Sequence, residues 1–547
     1  MTKRWIILPK KSNDITEQLL LNRKISKNQW SSFLKPDFEG DLFDPFLMKG
    51  MKKAAERIYK AIKNKEIIGI FGDYDADGIP GTALLYELFC FLDLDSKIFI
   101  PTREEGYGLN RRGIDLFINQ KAKLLITVDL GVRNISEISY AQKMGLDVIV
   151  LDHHETEKKL PEAIVIDPKQ KGEKYPFREL AATGIVFKLI QGLGKKIPKI
   201  SLNYLKWSLD LVAISTICDI VPLISENRIF AKFGLIVLQK TKRVGLQKLY
   251  QQAAIRPENI DTYSVGFQIG PRLNAPGRMD HANESFYLLV SKKSDEAVKL
   301  AQRLDSINRQ RQNELERVLK EAREKVNLKK LHHKKVILVS GKAWPQGIVG
   351  LVAGKLMEEF ARPVIVCEEK KEGLRGSARS IDAYNIVEAL EESKEFLTRF
   401  GGHKKAAGLS LEIAHISNLY DKLLEIAESK LKNEDLIPKI SVDFKLKSED
   451  INLELLEKIR QFEPFGLGNP RPVFLVEKAA ISQLRTVGKK NNHLKFKAEG
   501  IEAIGFDLGD WKSKLSDGDK IDLVFTLDED NWDGTSKVQL KVLDIKK

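Results

Sequence analysis

Two short apolar runs in this chain end abruptly in side chains that bind metals. Ile67-Ile68-Gly69-Ile70-Phe71 leads into Gly72-Asp73-Tyr74-Asp75-Ala76-Asp77-Gly78, and Val148-Ile149-Val150-Leu151 leads into Asp152-His153-His154. Residues two apart in an extended segment share a face, so Asp73, Asp75 and Asp77 can converge on one point. Carboxylates that close repel one another unless a cation lies among them. The chain must therefore fold so that these strand ends gather around a divalent metal. The same Asp-x-Asp-x-Asp-Gly spacing opens a calcium-binding EF-hand loop, but that loop closes with a bidentate Glu at its twelfth position. Leu84 stands there in this chain, and no helical pattern precedes the run. A merely solvated acidic turn fits poorly against a core-type strand.

From about Met51 to Leu223 short apolar strands alternate with amphipathic helices. The expected strands are Ile67–Phe71, Lys97–Ile100, Leu124–Val128, Asp147–Leu151 and Ala163–Ile166, with helices at Gly81–Leu92 and Ile135–Met144 among them. Such alternation predicts a parallel α/β sheet, in which ligands collect beyond the carboxyl ends of the strands. Three of those ends carry acids: Asp73/Asp75/Asp77, Asp129 and Asp152 with its two histidines. Leu202–Ile217 reads as one apolar helix delivering Asp219, an acid that wants a partner there. Ser291–Leu331 reads as one long charged helix, a strut between domains. Lys335 begins a second α/β unit, and from about Pro438 short strands separated by turns fit a small antiparallel barrel of the OB type. The expected division is an N-terminal segment 1–50, a catalytic domain 51–290, a connecting helix 291–334, a second α/β domain 335–437 and a barrel 438–547.

No run approaches the length of a membrane span, and the N-terminus is too short for a signal peptide. Cys90, Cys218 and Cys367 stand far apart in apolar surroundings, as core thiols of a reducing, cytoplasmic compartment do. Lys and Arg number 90 against 76 Asp and Glu, for a net charge of +14. The excess concentrates in the middle, with eleven basic and five acidic side chains between Arg303 and Lys335. That distribution suits a polyanionic partner.

The ligand inventory is Asp75, Asp77, Asp129, His153 and Asp219, with Asp73 a possible further ligand and Asp152 close by. Carboxylates with one or two imidazoles suit Mn2+ or Mg2+. Four or more carboxylates exceed what one ion needs and point to two, the arrangement that hydrolyses phosphoesters and phosphoanhydrides.

At these residues the chain resembles the DHH phosphoesterase superfamily, named for the Asp152-His153-His154 triplet, and within it the RecJ family of single-strand-specific 5′→3′ DNA exonucleases. The likeness takes in Thr127-Val128-Asp129-Leu130-Gly131, Asp219-Ile220-Val221-Pro222-Leu223 and Gly270-Pro271-Arg272-Leu273-Asn274-Ala275-Pro276-Gly277-Arg278. It continues through Gly347-Ile348-Val349-Gly350, Gly376-Ser377-Ala378-Arg379-Ser380, Gly401-Gly402-His403 and Glu463-Pro464-Phe465-Gly466 with Gly468-Asn469-Pro470. Leu130 departs from the pattern, which has a small residue or Cys there. The resemblance implies a parallel-sheet DHH catalytic domain, a DHH-associated α/β domain and an OB barrel. It implies that Asp75, Asp77, Asp129, His153 and Asp219 hold two Mn2+ or Mg2+ ions, with Asp129 bridging and His154 orienting or stabilising. Asp152 would brace the histidines.

The resemblance also implies a pocket for the 5′ end built from Arg103, Arg272, Asn274, Arg278, Ser377, Arg379 and His403; guanidinium forks suit a terminal phosphate. The implied substrate is single-stranded DNA, cut to 5′-mononucleotides in recombination and repair. The implied protein partners are a single-strand-binding protein and a helicase, and the enzyme is expected to be a monomer. A DHH phosphodiesterase acting on short oligonucleotides or RNA is the alternative, but the barrel favours a polymer, since it offers a groove and stacking faces. Because the ligands precede residue 220 and the pocket precedes residue 404, the chemistry is expected to survive removal of everything from Pro438 onward.

Overall fold

A computed structural model describes residues 3–547 except 104, 107, 158 and 531–535. The chain forms two compact units. One comprises Trp5–Asn274, Ala282–Gln302 and Ser441–Lys547; the other comprises Ala275–His281 and Arg303–Ile440, with the N-terminal residues up to Arg4.

The first unit holds the expected parallel sheet: β1 (Ile68–Gly72), β2 (Ser96–Phe99), β3 (Leu124–Val128), β4 (Asp147–Leu151) and β5 (Ile164–Ile166), in the order β2-β1-β3-β4-β5. β1 and β3 are buried along their whole length, which explains their unbroken apolar sequence. The strand order reverses between β1 and β3, so the connections leave in opposite directions and open a crevice at the carboxyl ends of this pair. Helices α1 (Gly78–Phe91), α2 (Ala182–Gly194) and α3 (Leu209–Cys218) converge on the same end. α1 begins three residues earlier than the apolar pattern suggested, because the Asp75 Oδ1 accepts the N–H groups of Asp77 and Gly78 at 2.8 and 3.1 Å and so caps the first turn. The single helix expected over Leu202–Ile217 is instead Leu202–Trp207 followed by α3. The break is at Ser208, whose hydroxyl bonds back to the Leu205 carbonyl at 2.7 Å and competes with the helical ladder. Leu130, the departure from the family pattern, is fully buried in the core beneath the sheet.

The second unit carries a mixed sheet of β6 (Ile337–Lys342), β7 (Val364–Lys370), β8 (Gly373–Arg379), β9 (Arg399–His403) and β10 (Ala406–Leu411), ordered β9-β10-β8-β7-β6 with only β6 and β7 parallel. The long helix runs Ser294–Leu328, and its later part is more than a strut. Leu315, Val318, Ala322 and Val326 form an apolar stripe buried against Ile337, Trp344, Ile348 and Val352. The stripe is sparse among charges, so the sequence pattern alone shows only a long charged helix, a strut between domains.

The C-terminal region of the first unit is a closed five-stranded barrel: β11 (Phe474–Val487), β12 (His493–Ala498), β13 (Ile501–Gly505), β14 (Lys520–Asp530) and β15 (Lys537–Lys546), in the order β11-β12-β13-β15-β14, with β14 closing on β11. The expectation of a wholly antiparallel barrel fails at one pairing: β13 and β15 run parallel. An odd number of strands cannot alternate direction all the way round a ring, so one parallel neighbour is unavoidable. The acidic run Asp528–Asp530 is not left bare, since Lys541 pairs with Asp528 and Arg460 with Glu529.

The N-terminal segment is tied to the helices of the catalytic domain through a buried ion pair. Lys188 on α2 donates to Glu226 Oε1 at 2.9 Å and to the Phe43 carbonyl at 2.6 Å, while the Tyr175 hydroxyl donates to Glu226 Oε2 at 2.5 Å. Burial depresses the Lys188 ammonium against the attraction of Glu226. Lys188→Met should therefore strand a buried carboxylate and cost about 3–5 kcal/mol of stability. Lys188→Met/Glu226→Leu should recover much of that, and thermal unfolding of the two variants checks the ordering.

Candidate metal centre

The register of the sheet sets the geometry of the site. Gly72 pairs with Val128, Val128 with Leu151, and Leu151 with Ile166, so four strands end level. The ladder continues one residue further: Asp73 N donates to Val128 O at 3.2 Å, Asp129 N to Leu151 O at 2.9 Å and Asp152 N to Ile166 O at 3.1 Å. The residues after the strands are Asp73, Asp129, Asp152 and Asp167, one carboxylate beside the next. Asp129 adopts φ 65°, a left-handed conformation that Asp tolerates better than most residues and that turns the chain sharply out of β3.

Asp77 is the most firmly held. Its Oδ2 accepts Ala182 N at 2.7 Å, and its Oδ1 accepts Thr183 N at 2.8 Å and the Ser215 hydroxyl at 2.6 Å. The first two donors are orphan N–H groups at the start of α2, where the helix dipole favours an anion. α3 ends at Asp219, its C-cap residue. The His153 Nε2 lies 3.2 Å from Asp129 Oδ1, 3.6 Å from Asp77 Oδ2 and 3.7 Å from Asp219 Oδ2. Three donor sets result among the described residues, each with one atom per residue within 4.8 Å of the others: Asp77/His153/Asp219 and Asp73/Asp75/Asp129, which share no residue, and Asp129/His153/His154, which overlaps both. Oxygen and imidazole donors so arranged fit two hard divalent cations such as Mn2+ or Mg2+.

The electrostatics agree. Burial and the mutual repulsion of the carboxylates push Asp73, Asp129 and Asp219 well above the ordinary carboxylate range. Asp73 Oδ1 is buried and has no hydrogen-bond partner among the described residues. Burial alone would raise Asp152 as well, but the His154 ring and the Val132 N–H at 3.0 Å hold it below that range. His154 Nδ1 sits 2.7 Å from Asp152 Oδ1. Burial opposes protonation of this ring, yet the bond to Asp152 raises it overall. His153 is lowered by burial, against the pull of Asp77, and so presents the neutral imidazole that metal ligation needs.

The structure gathers Asp73, Asp75, Asp77, Asp129, His153, His154 and Asp219 in the first unit, together with three residues expected to touch substrate. The Arg103 guanidinium lies over the Tyr74 ring at 4.8 Å, Arg272 Nη1 donates to the Gln268 carbonyl at 2.8 Å, and Asn274 Oδ1 accepts Ala76 N at 2.8 Å. Asn274 thus braces the acidic loop itself. The other unit holds Arg278, Ser377, Arg379 and His403. Ser377 and Arg379 project from one face of β8, and Arg379 Nη1 donates to Ser377 Oγ at 2.8 Å. Gly350, in the helix Gln346–Phe360, lets this pair approach: a Cβ there would stand 3.1 Å from Ser377 Oγ and 3.2 Å from Arg379 Nη2. Arg278 Nη1 reaches the Gly347 carbonyl of the same helix at 3.4 Å. His403 lies at the exposed end of β9.

Two residues at the site went unread in the sequence. Asp167 ends β5 as the other acids end their strands; burial pushes it up to about 7, and its Oδ2 has no hydrogen-bond partner among the described residues. The rule that found Asp129 would have found it. Ser215 carries no such signal, because its role depends on the pitch of α3 against the acidic loop.

Residues 67–216 match the DHH family, N-terminal domain, residues 330–433 the DHHA1 domain and residues 442–544 the RecJ OB domain. The chain is 38% identical over 538 residues to the single-stranded-DNA-specific exonuclease RecJ of Bacillus subtilis, covering 97% of this chain and 67% of that protein. It is 31% identical over 526 residues to the protein of the same name from Salmonella typhimurium, covering 91% and 90%. The crystal structure of RecJ in complex with Mn2+ from Thermus thermophilus matches with a TM-score of 0.83 at 26% identity, covering 100% of this chain and 79% of that one.

Metal binding should depend on pH in a definite direction. With no metal bound, the raised carboxyls keep protons that the unfolded chain has already released, so metal-free stability falls as pH rises from about 4. A cation must displace those protons, so its affinity rises with pH. The gain in Tm on adding Mn2+ should be larger at about pH 8 than at about pH 5.5. Asp129→Asn removes one of the repelling charges: it should raise the Tm measured in EDTA and abolish most of the Mn2+-dependent gain. Thermal unfolding with and without Mn2+ checks both.

Proposed function

The chain belongs to the RecJ family of DHH phosphoesterases, and from that premise we propose that it is a metal-dependent exonuclease that removes 5′-mononucleotides from single-stranded DNA, in recombination and repair. The observation that carries this reading is the pair of adjacent oxygen-and-nitrogen donor sets at the level strand ends. Asp75, Asp77, Asp129, Asp219 and His153 would hold Mn2+ or Mg2+ there, with Asp73 as a further oxygen donor. Bound ions of this kind activate water and offset negative charge at phosphorus. The protein's own residues do the rest. The starts of α1 and α2 fix Asp75 and Asp77 before any metal arrives, and Asn274 fixes the loop between them. Asp152 holds the Nδ1 proton of His154, so that Nε2 is the nitrogen left to donate to charge on the substrate.

Arg278, Ser377 and Arg379, grouped about the first turns of one helix, have the donors that a terminal 5′ phosphate requires. The guanidiniums supply charge-assisted forks, the hydroxyl a further donor and the helix terminus a favourable dipole. Burial lowers the Arg379 guanidinium, so an anion that compensates its charge there is favoured. The closed barrel favours a polymeric single strand over a small phosphodiester. The three free cysteines fit a reducing cytoplasm, where the enzyme would act as a monomer alongside a single-strand-binding protein and a helicase.

Digestion of 5′- and 3′-labelled single strands of DNA and RNA with Mn2+ or Mg2+ tests the reading. Release of the 5′ label as mononucleotide from DNA is expected, and prior loss of the 3′ label would contradict it. Asp129→Ala should lower hydrolysis by orders of magnitude while single-strand binding persists; retention of more than about a tenth of the activity would contradict the metal assignment. Arg379→Ala should impair strands with a 5′ phosphate more than those without, and an equal loss on both would make Arg379 a general backbone contact.

A further inference from the structure

The turn that follows Asp219 is strained and is held from outside the sheet. Ile220, a β-branched residue, sits at φ 58° and is 67% exposed, so neither its intrinsic preference nor burial of its side chain keeps it there. Three residues on, Leu223 N donates to Leu467 O at 2.7 Å, within the segment Phe462–Pro470 that leads into the barrel at Phe474. Gly466 lies so close that a Cβ would stand 2.7 Å from Leu223 Cδ1. Gly468, at φ +75°, would bring one to 3.1 Å from Pro222 Cβ.

This segment is itself rigid. Gly466 and Asn469 exchange backbone hydrogen bonds at 2.9 and 3.1 Å. The fully buried Asn469 donates to the Phe462 and Pro464 carbonyls at 2.7 and 2.9 Å and accepts Arg23 Nε at 2.7 Å. The buried Arg228 donates to the carbonyls of Phe462, Glu463 and Gln461 at 2.8, 2.9 and 3.1 Å, and to that of Phe33 at 2.7 Å. Arg228 lies on the helix Ser225–Gln239, just beyond the Asp219 turn. The carbonyls therefore surround a charge fixed to the catalytic fold.

We propose that Phe462–Pro470 is a positioning element of the metal centre: it holds the strained Ile220–Leu223 turn and thereby sets where the Asp219 carboxylate stands. The inference rests on the metal-centre reading above and adds to it a dependence on chain outside the sheet domain. It also revises the expectation that the chemistry would survive removal of everything from Pro438 onward, because that cut takes away the partner of Leu223.

The test is Mn2+ binding by full-length protein, measured calorimetrically, with Gly468→Val beside wild type. The valine cannot keep both the left-handed backbone and the contact with Pro222, so Mn2+ affinity should fall by about 10–100-fold, the usual effect of losing a residue that orients a ligand. Phe525→Leu, in the barrel core, serves as the control: it should lower Tm yet leave Mn2+ affinity within about twofold of wild type, well inside that range. If Gly468→Val does not fold, Gly468→Ala takes its place. Wild-type-like Mn2+ binding by the Gly468 variant would overturn the proposal, and so would an equal loss of affinity in Phe525→Leu. Failure of wild type to bind Mn2+ would instead overturn the metal centre itself.

Discussion

Four parallel strands ending level with one another create an electrostatic problem that the rest of the fold is arranged around. Asp73, Asp129, Asp152 and Asp167 follow β1, β3, β4 and β5 directly, and the ladder bonds between them leave no freedom to splay apart. Two unit charges about 4 Å apart repel by about 4 kcal/mol at an effective dielectric of 20. A few such pairs match the whole stability of a typical domain, about 5–15 kcal/mol. The charges must be met by protons, by fixed dipoles or by cations. Dipoles serve Asp75 and Asp77 at the starts of α1 and α2, and an imidazole serves Asp152. Burial and mutual repulsion push Asp73, Asp129 and Asp219 toward their protonated forms in the absence of metal, which makes them the natural seat for divalent ions.

The same logic of buried charge met by fixed partners recurs away from the site. Lys188 with Glu226 pins the N-terminal segment to α2 and the helix Ser225–Gln239, and Arg228 gathers the carbonyls of the segment before the barrel. Neither cluster touches the acids. Each fixes backbone that does, or backbone packed against it, so stability and catalytic geometry share the same side chains.

Much of this was legible in the sequence because it rests on local rules. The strands β1, β3 and β4, the barrel strands and the acids at the strand ends follow from apolar runs and from what interrupts them. Family resemblance contributed the identities of Arg103, Arg278, Ser377, Arg379 and His403, which no periodicity marks. What stayed hidden depends on tertiary partners. Ser208 breaks a helix through its own side-chain bond, Ser215 matters only because α3 lies against the acidic loop, and Leu467 matters only because it meets Leu223. Asp167 is different: the strand before it is expected at Ala163–Ile166 and the strand-end rule applies in full, so this acid was legible in the sequence and simply went unread.

The central claim is that level strand ends assemble two adjacent cation sites. Anomalous diffraction at the manganese edge from Mn2+-soaked crystals measures this directly. Two peaks per chain are expected, one among Asp77, His153 and Asp219 and the other among Asp73, Asp75 and Asp129. A single peak, or manganese only at surface carboxylates away from these strand ends, would contradict it.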